Sequence, residues 1–211
     1  MNPKDMVYNL LSEKISTGEI QPDGKFTEGY LVENLGLSRT PIREALIHLS
    51  AEGIIQKEAN KGYTLKKLSV EEIEDLYELI GYLDGKIAQL TVGHLSEDDF
   101  TQMQYMVDVM YASIKNGLYT KYNELQMQFH NFYMSKCPNQ ILVSVVNRLK
   151  YSFVGKSYAH ADKQTLQKVL EETNNEHEEI INLFKQKKTK ELQSYFENVH
   201  WNVSRAKYDL F

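Results

Sequence analysis

The sequence predicts a mostly α-helical protein: a compact N-terminal winged helix-turn-helix unit followed by an all-helical bundle. Three observations predict it. Three of the four prolines (Pro3, Pro22, Pro41) lie in the first 41 residues, and beyond residue 68 only Pro138 remains. From about Val70 the apolar residues keep helical spacing to the end. The charge divides at the same place. Residues 1–68 hold nine basic and nine acidic groups, whereas 69–211 hold 15 basic and 20 acidic ones and so carry the whole net charge of −5. The expected domains are therefore 1–68 and 69–211.

Composition narrows the function classes. A chain of 211 residues, 42% hydrophobic and 25% charged, is globular rather than disordered. The one cysteine, Cys137, excludes an intrachain disulfide framework and a multi-cysteine zinc site, and fits a reducing, cytoplasmic compartment. The start shows no apolar run behind a basic region, so no signal peptide is expected. The longest apolar stretch, Ile141–Val146, is interrupted by Ser144 and is too short to span a bilayer. A secreted miniprotein and a membrane protein are excluded on these grounds. An acidic C-terminal part is a poor surface for a polyanion, so nucleic-acid contacts are expected from the first 68 residues.

The elements follow in order. Met6, Val7, Leu10, Leu11 and Ile15 have helical spacing, and Gly18 ends that helix. Pro22-Asp23-Gly24 reads as a turn. Glu28–Leu35 is a short helix, separated by Gly36-Leu37-Ser38 from a second, Arg39–Glu52, with Ile42, Ala45, Leu46 and Leu49 on one face. Ser38 or Thr40 caps it, and Pro41 falls in the first turn, where its missing N–H costs nothing. Segments 54–57 and 63–66 are strand candidates joined by a hairpin turn over 58–62. Beyond Val70, Ile73, Leu76, Ile80, Leu83, Ile87 and Leu90 form one long stripe. Ser96-Glu97-Asp98-Asp99 is a capping signal for the next helix, and Asn116-Gly117 a stop. A third bundle helix carries Leu125, Phe129, Phe132 and Tyr133 and breaks near Pro138. Helices are then expected over 140–155, 162–187 and 189–208.

Two short helices joined by a glycine-containing turn, followed by a hairpin, describe a winged helix-turn-helix. Its second helix would enter the major groove by its N-terminal end, where Ser38, Arg39, Thr40 and Arg43 sit. Free N–H groups there attract phosphate, and arginine can grip guanine O6 and N7 together. Lys61 and Gly62 at the hairpin tip can approach a backbone or the minor groove. The competing readings have the arginines merely paired with acids such as Glu44 on a solvated helix, or the helix-turn-helix serving as a protein-binding module.

The string Ser38-Arg39-Thr40-Pro41-Ile42-Arg43-Glu44-Ala45-Leu46, with Glu52-Gly53-Ile54-Ile55 and Gly62, closely resembles the winged-helix domain of GntR-type transcription regulators. The resemblance implies a homodimer that reads a two-fold double-stranded DNA operator, with DNA contacts at the positions of Arg39, Thr40, Arg43 and Gly62. One position departs from the pattern: where the family often has an arginine after the glutamate matching Glu28, this chain has Gly29.

In the C-terminal part, Leu76-Tyr77-Glu78-Leu79 with Leu83-Asp84, then Gln126-Met127-Gln128-Phe129-His130, Asn139-Gln140-Ile141-Leu142 and Glu176-His177-Glu178-Glu179-Ile180 resemble the FadR-type C-terminal (FCD) domain. That resemblance implies a bundle that dimerises and binds a small-molecule effector. It also implies one divalent metal (zinc, nickel or manganese) held by one Asp and three His. His130 and His177 match two of the histidines and His200 approximates the third. The Asp position is Gln126, and the 23-residue spacing from His177 to His200 is one longer than expected, so that Val199 takes the regular register. An extra residue in the Lys185–Lys190 loop would restore it. Three histidines and water still make a legitimate zinc site. The alternative is that His130 is a core histidine beside Phe129 and Tyr133. An arginine that in this branch can hold a carboxylate ligand is replaced by Ile80. Tyr105, Tyr133, Tyr151 and Trp201 are candidate pocket aromatics, though such residues more often form core or interface.

An enzyme is not expected. His177-Glu178 lacks a second histidine at position 181, which is Ile181. Glu197-x-x-His200 is half of a di-iron bundle signature without its other half. No glycine-rich phosphate loop or nucleophile elbow is present. The sequence therefore points to an effector-responsive DNA-binding regulator, taken as a repressor. The alternatives are a regulator whose bundle only dimerises, or a metal-dependent bundle enzyme.

Overall fold

A computed structural model describes residues 2–16, 18–21, 24–58, 62–153 and 163–209. Among these the chain divides into two compact units: residues 2–70 with 148–153 and 209, and residues 71–147 with 163–208. Lys61, the Pro22-Asp23 turn and the hairpin tip lie outside the described residues.

The first unit is built on three helices and a small sheet. Helix α1 spans Pro3–Ser16, and Asn2 Oδ1 accepts from Asp5 N (2.9 Å), satisfying one first-turn donor. Gly18, at φ 77°, ends it as expected. Helix α2 (Glu28–Leu35) starts at Thr27, whose hydroxyl accepts from Tyr30 N, and stops at left-handed Gly36. Helix α3 (Arg39–Ala51) follows directly. Leu11, Ile15, Leu31, Ile42, Leu46 and Leu49 are fully buried where the three helices meet.

Strands β1 (Ile55–Glu58) and β2 (Gly62–Leu65) pair antiparallel, from Ile55 opposite Leu65 to Glu58 opposite Gly62. Phe26 adds a short third edge, exchanging both backbone hydrogen bonds with Tyr63 (3.0 and 2.9 Å). Gly62 is required there. Its φ is 87°, and a Cβ would stand 2.3 Å from Phe26 O.

The second unit is a helical bundle. Helix α4 (Val70–Thr91) is followed by α5 (Glu97–Lys115), α6 (Tyr119–Ser135), α7 (Gln140–Lys150), α8 (Lys163–Lys185) and α9 (Thr189–Tyr195). The expected cap of α5 is a full capping box: Asp99 N donates to Ser96 Oγ and Ser96 N donates to Asp99 Oδ2. Lys136 adds an ion pair to Asp99 (2.8 Å). These bonds to the charged form, first that of Lys136, pull the Asp99 carboxyl down to about 2.

Three expectations need correction. The buried face of α4 runs through Ile73, Tyr77, Ile80, Gly81, Asp84, Gly85, Ile87 and Ala88, whereas Leu76, Leu83 and Leu90 are only half-buried on its flank. The apolar stripe caught Ile73, Ile80 and Ile87 of this face but not its centre, where two glycines and an aspartate sit. The last helix also does not run unbroken over 189–208. It is α-helical to Tyr195, forms a π turn over Phe196–His200, breaks at Trp201, and continues as a 3-10 segment over Val203–Asp209. Likewise α7 ends at Lys150 and gives way to a 3-10 turn, Tyr151–Phe153. There Tyr151 belongs to the first unit: its ring meets Tyr8 edge-on (4.6 Å), Lys4 lies over it, and its hydroxyl donates to Asp5.

Candidate functional site

The N-terminal end of α3 is open. Ser38, Arg39, Thr40 and Arg43 are all exposed. Ser38 occupies the N-cap position, yet its hydroxyl makes no capping bond, which leaves it and the first-turn N–H groups available to an anion. Arg43 is not tied to Glu44. Its Nε donates to Glu28 Oε2 on α2 (2.8 Å), while its side chain stays 59% exposed. That bond engages the inner edge of the guanidinium and leaves the two terminal nitrogens for a partner. Gly29, beside Glu28, has only Thr27 Oγ1 within 4 Å of where a Cβ would sit, so a side chain there would meet open space.

The bundle gathers His130, His177 and His200, all buried, with one ring nitrogen from each within 4.8 Å of the others. His130 comes from α6, His177 from α8 and His200 from the π turn. A close approach to α4 makes room. Gly85 would place a Cβ 2.9 Å from Gln193 O, and Gly81 would place one 3.0 Å from Trp201 Cβ. A side chain at either position would push the C-terminal segment away.

The hydrogen bonds around the rings decide which nitrogen faces inward. Tyr133 Oη donates to Asp84 Oδ1 (2.5 Å), so its oxygen accepts from His130 Nδ1 (2.9 Å). His200 Nδ1 donates to Glu176 Oε2 (2.9 Å). His177 Nδ1 makes a longer contact with Asn174 Oδ1 (3.4 Å), and Asn174 Nδ2 donates to Val107 O, which turns its oxygen toward the ring. With protons on Nδ1, the Nε2 atoms of His130 and His200 carry lone pairs and face each other at 3.1 Å. Two acceptors so placed can share a proton or a metal ion. Nitrogens about 2.1 Å from one zinc ion lie about 3 to 3.4 Å apart. The donor set therefore fits a borderline divalent metal.

Three further groups complete the surroundings. Trp201 Nε1 donates to Asp84 Oδ2 (3.0 Å), and Arg205 bonds Glu176. Burial first, then the Asp84 carboxylate, push the Tyr133 hydroxyl well up. Gln126 is half-buried one turn before His130. Of the candidate aromatics, Tyr133 and Trp201 sit at this centre, Tyr105 is exposed and Tyr151 lies in the other unit. Glu197 binds Gln193 Nε2 and is not among the clustered groups.

A π turn inside the last helix sets the register of His200. A π turn holds one extra residue per turn. The one at Phe196–His200 turns Val199 out to solvent and His200 in. The sequence showed only that the His177–His200 spacing is one residue longer than expected. Asp84, Glu176 and Asn174 were missed as site residues, since an acid or amide on a helix reads as a solvated face. The one available signal was Asp84's place between two glycines on an otherwise largely apolar face of α4.

Residues 3–65 match the family described as bacterial regulatory proteins, gntR family, and residues 75–197 match the FCD domain. The chain is 24% identical over 143 residues to an uncharacterized HTH-type transcriptional regulator, YdhC, of Bacillus subtilis, covering 67% of this chain but 64% of that protein's length. It is 24% identical over 156 residues to the HTH-type transcriptional repressor GlaR of Escherichia coli, covering 70% of this chain and 71% of GlaR. The solved structure of E. coli McbR/YncC superposes with a TM-score of 0.82 at 16% identity over 98% of both chains, a likeness of fold. Among the described residues no helix is long and apolar enough to cross a membrane. With a gntR-type N-terminal domain and an FCD domain that fills more than half its length, the chain belongs to the GntR family of bacterial regulatory proteins.

Proposed function

We propose that the chain is a homodimeric transcription regulator, acting as a repressor, that reads a two-fold operator in double-stranded DNA and releases it when a small molecule binds the bundle. The observation that carries this reading is the open N-terminus of α3, where Ser38, Arg39, Thr40 and Arg43 are exposed together at one helix end. Lys61 and Gly62 in the wing would add backbone or minor-groove contacts. GlaR's description as a repressor supports the sign of regulation.

In the bundle, His130, His177 and His200 would hold one divalent ion. Three imidazoles with no ligating carboxylate suit zinc or nickel better than manganese, which prefers oxygen. When bound, the ion would supply a positive centre able to take an oxygen atom of the effector. A bundle that only dimerises would have filled this space with apolar side chains. The buried polar cluster instead favours sensing. The effector would stabilise one bundle arrangement over another and alter the separation of the two reading heads, so both half-sites could no longer be engaged together.

Selection of DNA from a random-sequence pool tests the reading directly. An enriched two-fold motif, with half-sites about one helical turn apart, is expected. Recovery of no motif, or of an asymmetric one, would contradict it.

A further inference from the structure

The three histidines are neutral ligands, and the residue one turn before His130 is an amide, Gln126. A divalent ion placed among them would be poorly compensated by this set alone. Two buried carboxylates lie further out, Glu176 bonded directly to a histidine ring and Asp84 reached through Tyr133. Asp84, on α4, is fully buried. It accepts from Tyr133 Oη and Trp201 Nε1, and its Oδ2 stands 3.4 Å from His130 Nδ1. Glu176, on α8, is 5% exposed; it accepts from His200 Nδ1 at 2.9 Å and from Arg205.

We propose that Asp84 and Glu176 are the outer carboxylates of the histidine centre, holding the Nδ1 sides of His130 and His200 so that both Nε2 atoms face one divalent ion. They are positioning residues that act through the rings; because Glu176 is also paired with Arg205, the negative charge that Gln126 does not supply comes from Asp84. A carboxylate behind an imidazole fixes its tautomer and raises its basicity as a ligand. The arrangement also ties the site to the C-terminal segment, because Trp201 and Arg205 each bind one of the two carboxylates. This inference rests on the three-histidine reading above.

The test is a titration of full-length protein with zinc and cobalt in competition with a chromophoric chelator, with the visible spectrum of the cobalt form recorded. Wild type is compared with Asp84→Asn, Glu176→Gln and Glu176→Asp. The expected result is a roughly 10- to 100-fold loss of metal affinity in Asp84→Asn and Glu176→Gln, with altered cobalt bands. Glu176→Asp, which keeps the charge, should regain part of the loss. Should Asp84→Asn fail to fold, the Glu176 pair carries the test alone. Wild-type affinity and spectrum in the neutral variants would overturn the outer-carboxylate role while leaving the histidine site standing. Failure of wild type to bind either metal would overturn the histidine site itself, and this inference with it.

Discussion

His200 Nε2 lies 3.1 Å from His130 Nε2, although a regular helix continued from Thr189 would bring Val199 to that place. The π turn over Phe196–His200 rotates the chain by the extra residue, leaving Val199 36% exposed and His200 buried. A π turn weakens local helix geometry and persists where something is gained. Here the gain is a third imidazole in the cluster.

Deleting Val199 should therefore let α9 run on as a regular helix with its histidine still facing His130. Metal stoichiometry is expected to match wild type. Inserting an alanine after Val199 should turn the histidine away and abolish binding. The reverse pattern would mean that the π turn is not what positions His200.

Arg43 sits at the open end of α3 with only its Nε engaged, by Glu28. Arg43→Ala should cost about 1–3 kcal/mol of discrimination between operator and random DNA. The fold and dimer should be intact by circular dichroism and sedimentation. Unchanged operator affinity would remove Arg43 from the reading surface.

Gly29 is exposed with open space where a Cβ would stand. Gly29→Arg should add one phosphate contact. Operator binding should strengthen at low salt, and the slope of log affinity against log salt should steepen by about one. An unaltered slope would place this end of α2 away from the DNA backbone.

Asp99 ties the start of α5 to Lys136, and its carboxyl is held down at about 2. A lowered folded value means the stabilisation is fully present above the ordinary carboxylate range and is lost as pH falls through about 2. Asp99→Asn should cost about 1–2 kcal/mol near neutral pH by thermal or urea melts. The difference from wild type should shrink steadily below the ordinary carboxylate range and be mostly gone by about pH 2. A difference that persisted there would assign the loss to packing rather than charge.

Much of the fold was legible in the sequence because its signals are local. Gly18, Gly36 and Gly117 stop helices at positive φ, and Ser96 with Asp99 starts one. The DNA-reading end of α3 was legible for the same reason, since it lies on one short segment. The histidine centre was only partly so. Its three rings come from three elements far apart in sequence, and their spacing was broken by a π turn that no residue pattern announces. Its carboxylates were not legible as site residues: what makes Asp84 one is Tyr133 and Trp201 arriving from elsewhere in the chain.

The most direct measurement is elemental analysis of tag-free protein purified without chelator, paired with melts of wild type and His177→Ala. About one zinc or nickel per chain is predicted. His177→Ala should melt lower than wild type when metal is present, and the two should converge in chelator, because only the folded site binds the ion. No metal after addition of zinc and dialysis, or an equal loss of stability with and without chelator, would show that the three histidines are core residues and not a metal centre.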